Sequence, residues 1–146
     1  VGVDLLFVDG EDYGSFEGDY PDNLLGSRHF ATHLPAGYRP LYAVLLDMVG
    51  DQDQQFPQEG HSIERAPEIV DRVWTAAEEL GLGRVFRPVR GIPISDDHIP
   101  LLDAGIQAID IIDFDYPYWH TTADTPDKIS ATSLANVGRV VLYLVR

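Results

Sequence analysis

Apolar residues recur along this chain in two rhythms. Unbroken runs alternate with stretches in which they return every three or four positions. The runs are β-forming, and continuous apolarity marks strands covered on both faces. Val3 to Val8 is interrupted only by Asp4 and predicts a buried strand ending in Asp9-Gly10-Glu11-Asp12. Leu41–Val49 predicts another at a sheet centre, with Asp47 breaking it near its carboxyl end. Val85–Val89 and Ile106–Asp113 predict two more.

The periodic stretches predict helices. The clearest covers Ser62 to Leu80, where Ile69, Val70, Val73, Trp74, Ala77 and Leu80 form one stripe and Glu68, Asp71, Arg72, Glu78 and Glu79 cover the other face. Pro67 fits only a first turn, so regular helix is expected from about Ala66, and Gly81 stops it. Asp22 or Asn23 caps a helix running to about Leu34, with Leu24, Leu25, Phe30 and Leu34 inward. Ser95-Asp96-Asp97 opens a helical turn over Ile99 to Ala104. Ser130 caps a final helix with Leu134, Val137, Val141 and Leu144 facing the core. Residues 15–21, Asp51 to Gly60 and Phe114 to Asp127 are expected to be loops. Strands alternating with helices imply an α/β three-layer sandwich around a mostly parallel or mixed sheet. No repeat or linker divides the 146 residues, so one domain is expected.

Composition narrows the partners. The chain is 45% hydrophobic, enough for a core. Its net charge of −14 disfavours nucleic acid and anionic membrane, both of which select Lys/Arg clusters. No run is long enough to span a bilayer. The absence of cysteine removes disulfides and thiolate metal sites. The chain opens Val1-Gly2-Val3 with no Met, already at a strand, so residues upstream are expected to be missing.

Candidate chemistry collects where strands end, which is where open α/β sheets bind ligands. Glu11 and Asp12 follow the first strand, and adjacent carboxylates can divide labour, one on a metal and one as general base. Asp-Gly is also an ordinary turn dipeptide. Asp47, Asp96, Asp97, Asp110 and Asp113 lie at or near other strand ends; Asp47 is the sharpest of them, and it is equally at home bonded to backbone at the strand exit. His120 is a candidate zinc ligand that Asp124 could orient, against the commoner case of a surface histidine. His29, His33 and His61 read as surface or helix residues, and His98 follows two carboxylates. Trp119 and Tyr116 could wall an apolar substrate pocket or simply pack their loop; for Tyr118 packing is favoured. No Gly-x-Gly-x-x-Gly, Walker or Gly-x-Ser-x-Gly pattern appears, so nucleotide binding and serine hydrolysis have no support. Oxygen and nitrogen donors favour zinc first.

Five segments together resemble the zinc-dependent M28 peptidase superfamily, and within it the animal-type glutaminyl-peptide cyclotransferases. They are Phe7-Val8-Asp9-Gly10-Glu11-Asp12, Gly26-Ser27-Arg28-His29, Leu45-Leu46-Asp47-Met48-Val49-Gly50, Asp96-Asp97-His98-Ile99-Pro100 and Trp119-His120-Thr121. Each is weak alone; the ordered set is specific. The resemblance implies a phosphorylase/hydrolase-like fold, Glu11 as acid/base, and Asp12 and His120 as zinc ligands. It implies that Asp47 binds a second zinc, as in the aminopeptidases, or joins a hydrogen-bond network with Asp96, as in the cyclases. Trp119 resembles the pocket tryptophan.

Two positions depart from the cyclase pattern: Asp12 stands where Glu is common, and Asp110 where a pocket histidine is expected. The family also draws a further zinc-ligating Asp, and in peptidases a His, from a segment before the Asp-Gly-Glu motif. The resemblance therefore covers the C-terminal part of a catalytic domain. It implies a peptide substrate with a free N-terminus, a secreted or periplasmic setting, and a sheet edge left open to pairing with a second copy or another chain. A chain that has lost the metal site and activity is the alternative to a cyclase or an aminopeptidase.

Overall fold

The computed structural model describes residues 2–15 and 22–146. Five α-helices are present among them: α1 (Leu25–Thr32), α2 (Gly60–Arg65), α3 (Pro67–Glu79), α4 (His98–Asp103) and α5 (Ala131–Leu144). The strands are β1 (Ala43–Asp47), β2 (Phe56–Gln58), β3 (Phe86–Arg90) and β4 (Ala108–Ile112). They form two parallel pairs, β1 with β4 and β2 with β3. The α/β class expected from the alternation is the one observed.

β4 is buried at every position, which is why its sequence is apolar throughout except for Asp110. It pairs in register with β1, so that Leu45 faces Asp110 and Asp47 faces Ile112. α3 lays Ile69, Val70, Val73, Trp74, Ala76 and Ala77 into the core. There Trp74 meets Phe86 edge-on, its indole N–H donating to Arg87 O at 3.0 Å, and Phe86 meets Phe56 at 5.0 Å. α5 packs on α3 and contributes Val137 and Val140.

Several expectations are corrected. Residues 3–8 form no strand: Val3, Leu5, Leu6 and Phe7 are exposed, Phe7 by 90%. A strand exists only through its ladder, and no described strand pairs with this segment. β1 has one partner rather than two among the described residues and so stands at an edge of their sheet, with Leu46 exposed. The expected helix over 62–80 is two helices. Ala66, preceding Pro67, is pushed out of helical geometry, and α3 starts with Pro67 at its first position. The region from Asp51 to Gly60 is not wholly irregular, since it holds β2 and the start of α2. In α5, Leu134 is 46% exposed and Val140 is buried in its place, the stripe lying further round the helix than expected.

α1 is shorter than expected and neither Asp22 nor Asn23 caps it. Its N-cap is Leu24, buried and in the left-handed region at φ 53°. The free N–H groups of its start are met instead by the acidic turn: Leu24, Leu25 and Gly26 donate to the carbonyls of Glu11, Gly10 and Asp9 at 3.1, 3.2 and 2.9 Å. Apart from Ser15, the loop expected over 15–21 lies outside the described residues.

Candidate active site

The acidic turn owes its place to Gly26. A Cβ there would stand 2.6 Å from Asp9 N and 2.9 Å from Asp9 O, so only glycine lets α1 approach the turn this closely. One residue on, the Ser27 hydroxyl donates to Asp97 Oδ1, and α1 packs on α4. Two motifs separated by 70 residues are thereby pinned together, and the loop bearing Glu11 and Asp12 is held against the start of α4.

Asp12 meets His120 on this face. Nε2 of His120 lies 3.1 Å from Asp12 Oδ1, with the side chains 50% and 63% exposed respectively. His120 has φ 54°, a left-handed conformation rare for a non-glycine residue. Its ring stacks on Trp119 at 4.1 Å, and Trp119 meets Phe114 at a tilt of 53° with centroids 5.0 Å apart. Trp119 is 43% exposed, so it serves this ladder rather than the core. Asp124 does not orient His120; it accepts from the Tyr116 hydroxyl at 2.6 Å. Tyr118 carries Lys128 over its ring and so packs the loop on itself.

The remaining carboxylates lie close by. Asp47 ends β1, and the next residue, Met48, is again left-handed at φ 50° and donates its N–H to the Asp47 carboxylate. Asp47 and Asp96 share a side-chain hydrogen bond. Such a bond between two carboxyl groups requires a proton on one of them. Asp96 is the holder: burial pushes it up to about 7 against the pull of the Asp97 N–H, and Asp47 and Asp97 push the same way. Asp47 is raised by burial too, partly offset by the Met48 N–H. Glu11 is pushed up to about 8 by burial, by its hydrogen bond to Asp12 and by the charges of Asp12, Asp96 and Asp97. A group titrating in that range can accept and release a proton near neutral pH.

Asp110 sits beneath, fully buried in β4 with both carboxylate oxygens lacking a hydrogen bond among the described residues. Burial raises it well above the carboxylate range, followed by the charges of Asp96, Asp47, Glu59 and Asp97. Asp113 is set apart, accepting from the Gln55 N–H at 2.9 Å.

For a metal, Asp12 and His120 bring one oxygen and one nitrogen donor together, the donor chemistry that suits zinc. No group of three potential ligands is found among the described residues. These side chains fit zinc as two of its ligands. Asp47 stands near enough to feel the charge of Asp12, but it is engaged with Asp96 rather than grouped with the other two.

The structure thus brings Glu11, Asp12, Asp47, Asp96 and His120 to one face, with Trp119 against His120. Tyr116 is tied to Asp124 instead. Sequence reasoning passed over Ser27 as a tether and gave no part to Glu59, which is 1% exposed and touches the buried His98. A Glu directly before a helix start was the signal available for the latter.

The model of peptidase family M28 matches residues 1–145. The glutaminyl-peptide cyclotransferase of Bos taurus is 28% identical over 167 residues, covering 99% of this chain and 46% of the relative. Among solved structures, a leucine aminopeptidase precursor from Bacteroides thetaiotaomicron has a TM-score of 0.88 at 39% identity, covering 95% of this chain and 51% of its own. The glutaminyl cyclase of the same organism, bound to N-acetylhistamine, has 0.87 at 38%, covering 95% and 52%. A Zn-dependent exopeptidase from Parabacteroides distasonis also has 0.87, at 37%, covering 95% and 52%. The chain spans about half the length of these relatives. Matched by the family model over residues 1–145, which hold the acidic turn, the strand-end carboxylates and the Trp-His loop, the chain belongs to peptidase family M28.

Proposed function

We propose that this chain carries the acid/base half of a zinc-dependent glutaminyl-peptide cyclotransferase site, converting an N-terminal Gln of a peptide to pyroglutamate in the complete enzyme. The observation that carries it is Glu11, with its carboxyl raised to about 8, beside the Asp12–His120 donor pair and within reach of the charges of Asp96 and Asp97. The chemistry zinc supplies when bound is Lewis-acid polarisation of the Gln side-chain amide carbonyl. Glu11 takes the proton from the α-amine as its nitrogen bonds to the side-chain carbonyl carbon. It returns that proton to the departing nitrogen as the carbon–nitrogen bond breaks, releasing ammonia. Burial first, then the charges of Asp12, Asp96 and Asp97, sustain the raised affinity of Glu11 for a proton, and Asp47 is joined to this group through its hydrogen bond with Asp96. Trp119, half-exposed beside His120, offers the substrate an apolar face.

The solved relatives named as an aminopeptidase and an exopeptidase favour a second reading, in which Glu11 takes the proton from an attacking water and the first peptide bond is cut. Asp47 would then turn from Asp96 to hold a second metal. One experiment separates the two. The zinc-loaded enzyme is given a Gln-peptide and an aminopeptidase substrate, with products identified by mass. Pyroglutamate with one metal per chain supports the cyclase, and a released N-terminal residue with two metals supports the peptidase. Neither product, in a folded sample, means that the chain is not an enzyme of this kind.

A further inference from the structure

Glu59 is a buried carboxylate that the reaction above does not use. Its oxygens accept four hydrogen bonds: Oε1 from the N–H groups of His61 and Ile94, both at 2.8 Å, and Oε2 from the N–H and hydroxyl of Ser62, both at 2.7 Å. Capping the six-residue α2 explains only the bonds from His61 and Ser62. Four donors aimed at two oxygens require the ionised form, and a buried charge is costly where a neutral cap would serve.

The surplus charge faces His98. That ring is fully buried, with Nε2 3.2 Å from Glu59 Oε2 and Nδ1 4.0 Å from Asp110 Oδ2. Neither ring nitrogen completes a hydrogen bond among the described residues, but the ionised Glu59 oxygen this close favours the tautomer with its hydrogen on Nε2. The backbone of His98 directly follows Asp97, whose N–H donates to Asp96 Oδ1 and whose carboxylate receives the Ser27 hydroxyl. The buried ring therefore anchors the same segment that Ser27 holds through Asp97.

We infer that Glu59 is a positioning residue for the Asp96–Asp47 pair, acting through the His98 ring. This rests on the proposed function for its kinetic consequence and on geometry alone for its structural one. It predicts that Glu59 and His98 act as a unit. In the zinc-loaded enzyme, Glu59→Gln and His98→Gln each lower kcat about ten-fold with KM within two-fold, and the double variant falls no further than the worse single one. Multiplying losses, or a change confined to KM, would overturn it.

The structural consequence is read without turnover, from backbone amide spectra of the metal-free chain. Both variants should move the amide of Met48, which reports on the Asp47 carboxylate, while α3 amides stay in place. If Glu59→Gln alters only 59–62 and 92–94, Glu59 is just a cap and the inference fails. If that variant does not fold, His98→Gln, which leaves the cap intact, is read at Met48 in its place, and an unmoved signal overturns the inference. An enzyme that makes no product refutes the proposed function, and the amide comparison still decides the role of Glu59.

Discussion

His120 Nε2 lies 3.1 Å from Asp12 Oδ1, although 108 residues separate them. One of the two atoms must present a hydrogen to the other, and a bound cation would replace that hydrogen. Asp12→Ala and His120→Ala should each abolish stoichiometric zinc after dialysis, measured with circular dichroism on the same samples. Full zinc retention in either variant would remove that residue from the ligand set.

Glu11 is the proton carrier of the proposed reaction. Glu11→Gln in the zinc-loaded enzyme should lower kcat by about 10²–10⁴ with little change in KM. The variant should keep its zinc, so that metal content distinguishes lost acid/base chemistry from a lost site. Unchanged turnover would place the proton transfer elsewhere.

Stability should depend on pH in two limbs. Asp96 binds its proton more tightly folded, at about 7, than at the usual 3.8, and Glu11 likewise at about 8 rather than 4.5. Their contributions are fully present below the ordinary carboxylate values and are lost as pH rises through 7 and 8. Glu59 behaves oppositely. Burial would raise it, but the close His98 ring and the hydrogen bonds from Ser62, His61 and Ile94 pull it down to about 2, so its contribution is present above 4.5 and lost as pH falls. The metal-free chain should be most stable at about pH 4–5 and weaken toward pH 8, with Asp96 accounting for at most ~4 kcal/mol. Denaturant titrations across pH 3–9 would show this, and Asp96→Asn should flatten the upper limb. A wild-type chain more stable at pH 8 than at pH 5 would contradict these assignments.

Gly26→Ala tests the joint between α1 and the acidic turn. A methyl group 2.6 Å from Asp9 N forces the two apart, at a cost of about 1–3 kcal/mol by analogy with overpacked cores. Zinc affinity should fall with stability, since Asp12 rides on the displaced turn. Ser27→Ala leaves the buried Asp97 oxygen without its hydroxyl donor and should cost about 1–3 kcal/mol. Urea unfolding midpoints for both variants check the two figures.

Local pattern sufficed for much of this molecule. The stripe Ile69–Val70–Val73–Trp74–Ala77 gives α3, because helical spacing puts those residues on one face whatever they pack against. Ser130 caps α5, because its hydroxyl needs only the N–H of Ser133, three residues away. The acidic turn, Asp47, Asp96 and the Trp119–His120 pair were legible as chemistry, because carboxylates and an imidazole are conspicuous beside apolar strands. Tertiary structure decided everything that needed a distant partner. Whether residues 3–8 are a strand depends on a neighbour, not on apolarity, and they stand exposed. The start of α1 is capped by carbonyls from the acidic turn, which no local side-chain rule anticipates. The raised carboxyls of Glu11 and Asp96 arise because the fold withdraws water from them and brings three other negative groups, Asp12, Asp47 and Asp97, around them. Burial and charge proximity are properties of the packed molecule: sequence named the groups, and packing set what they can do.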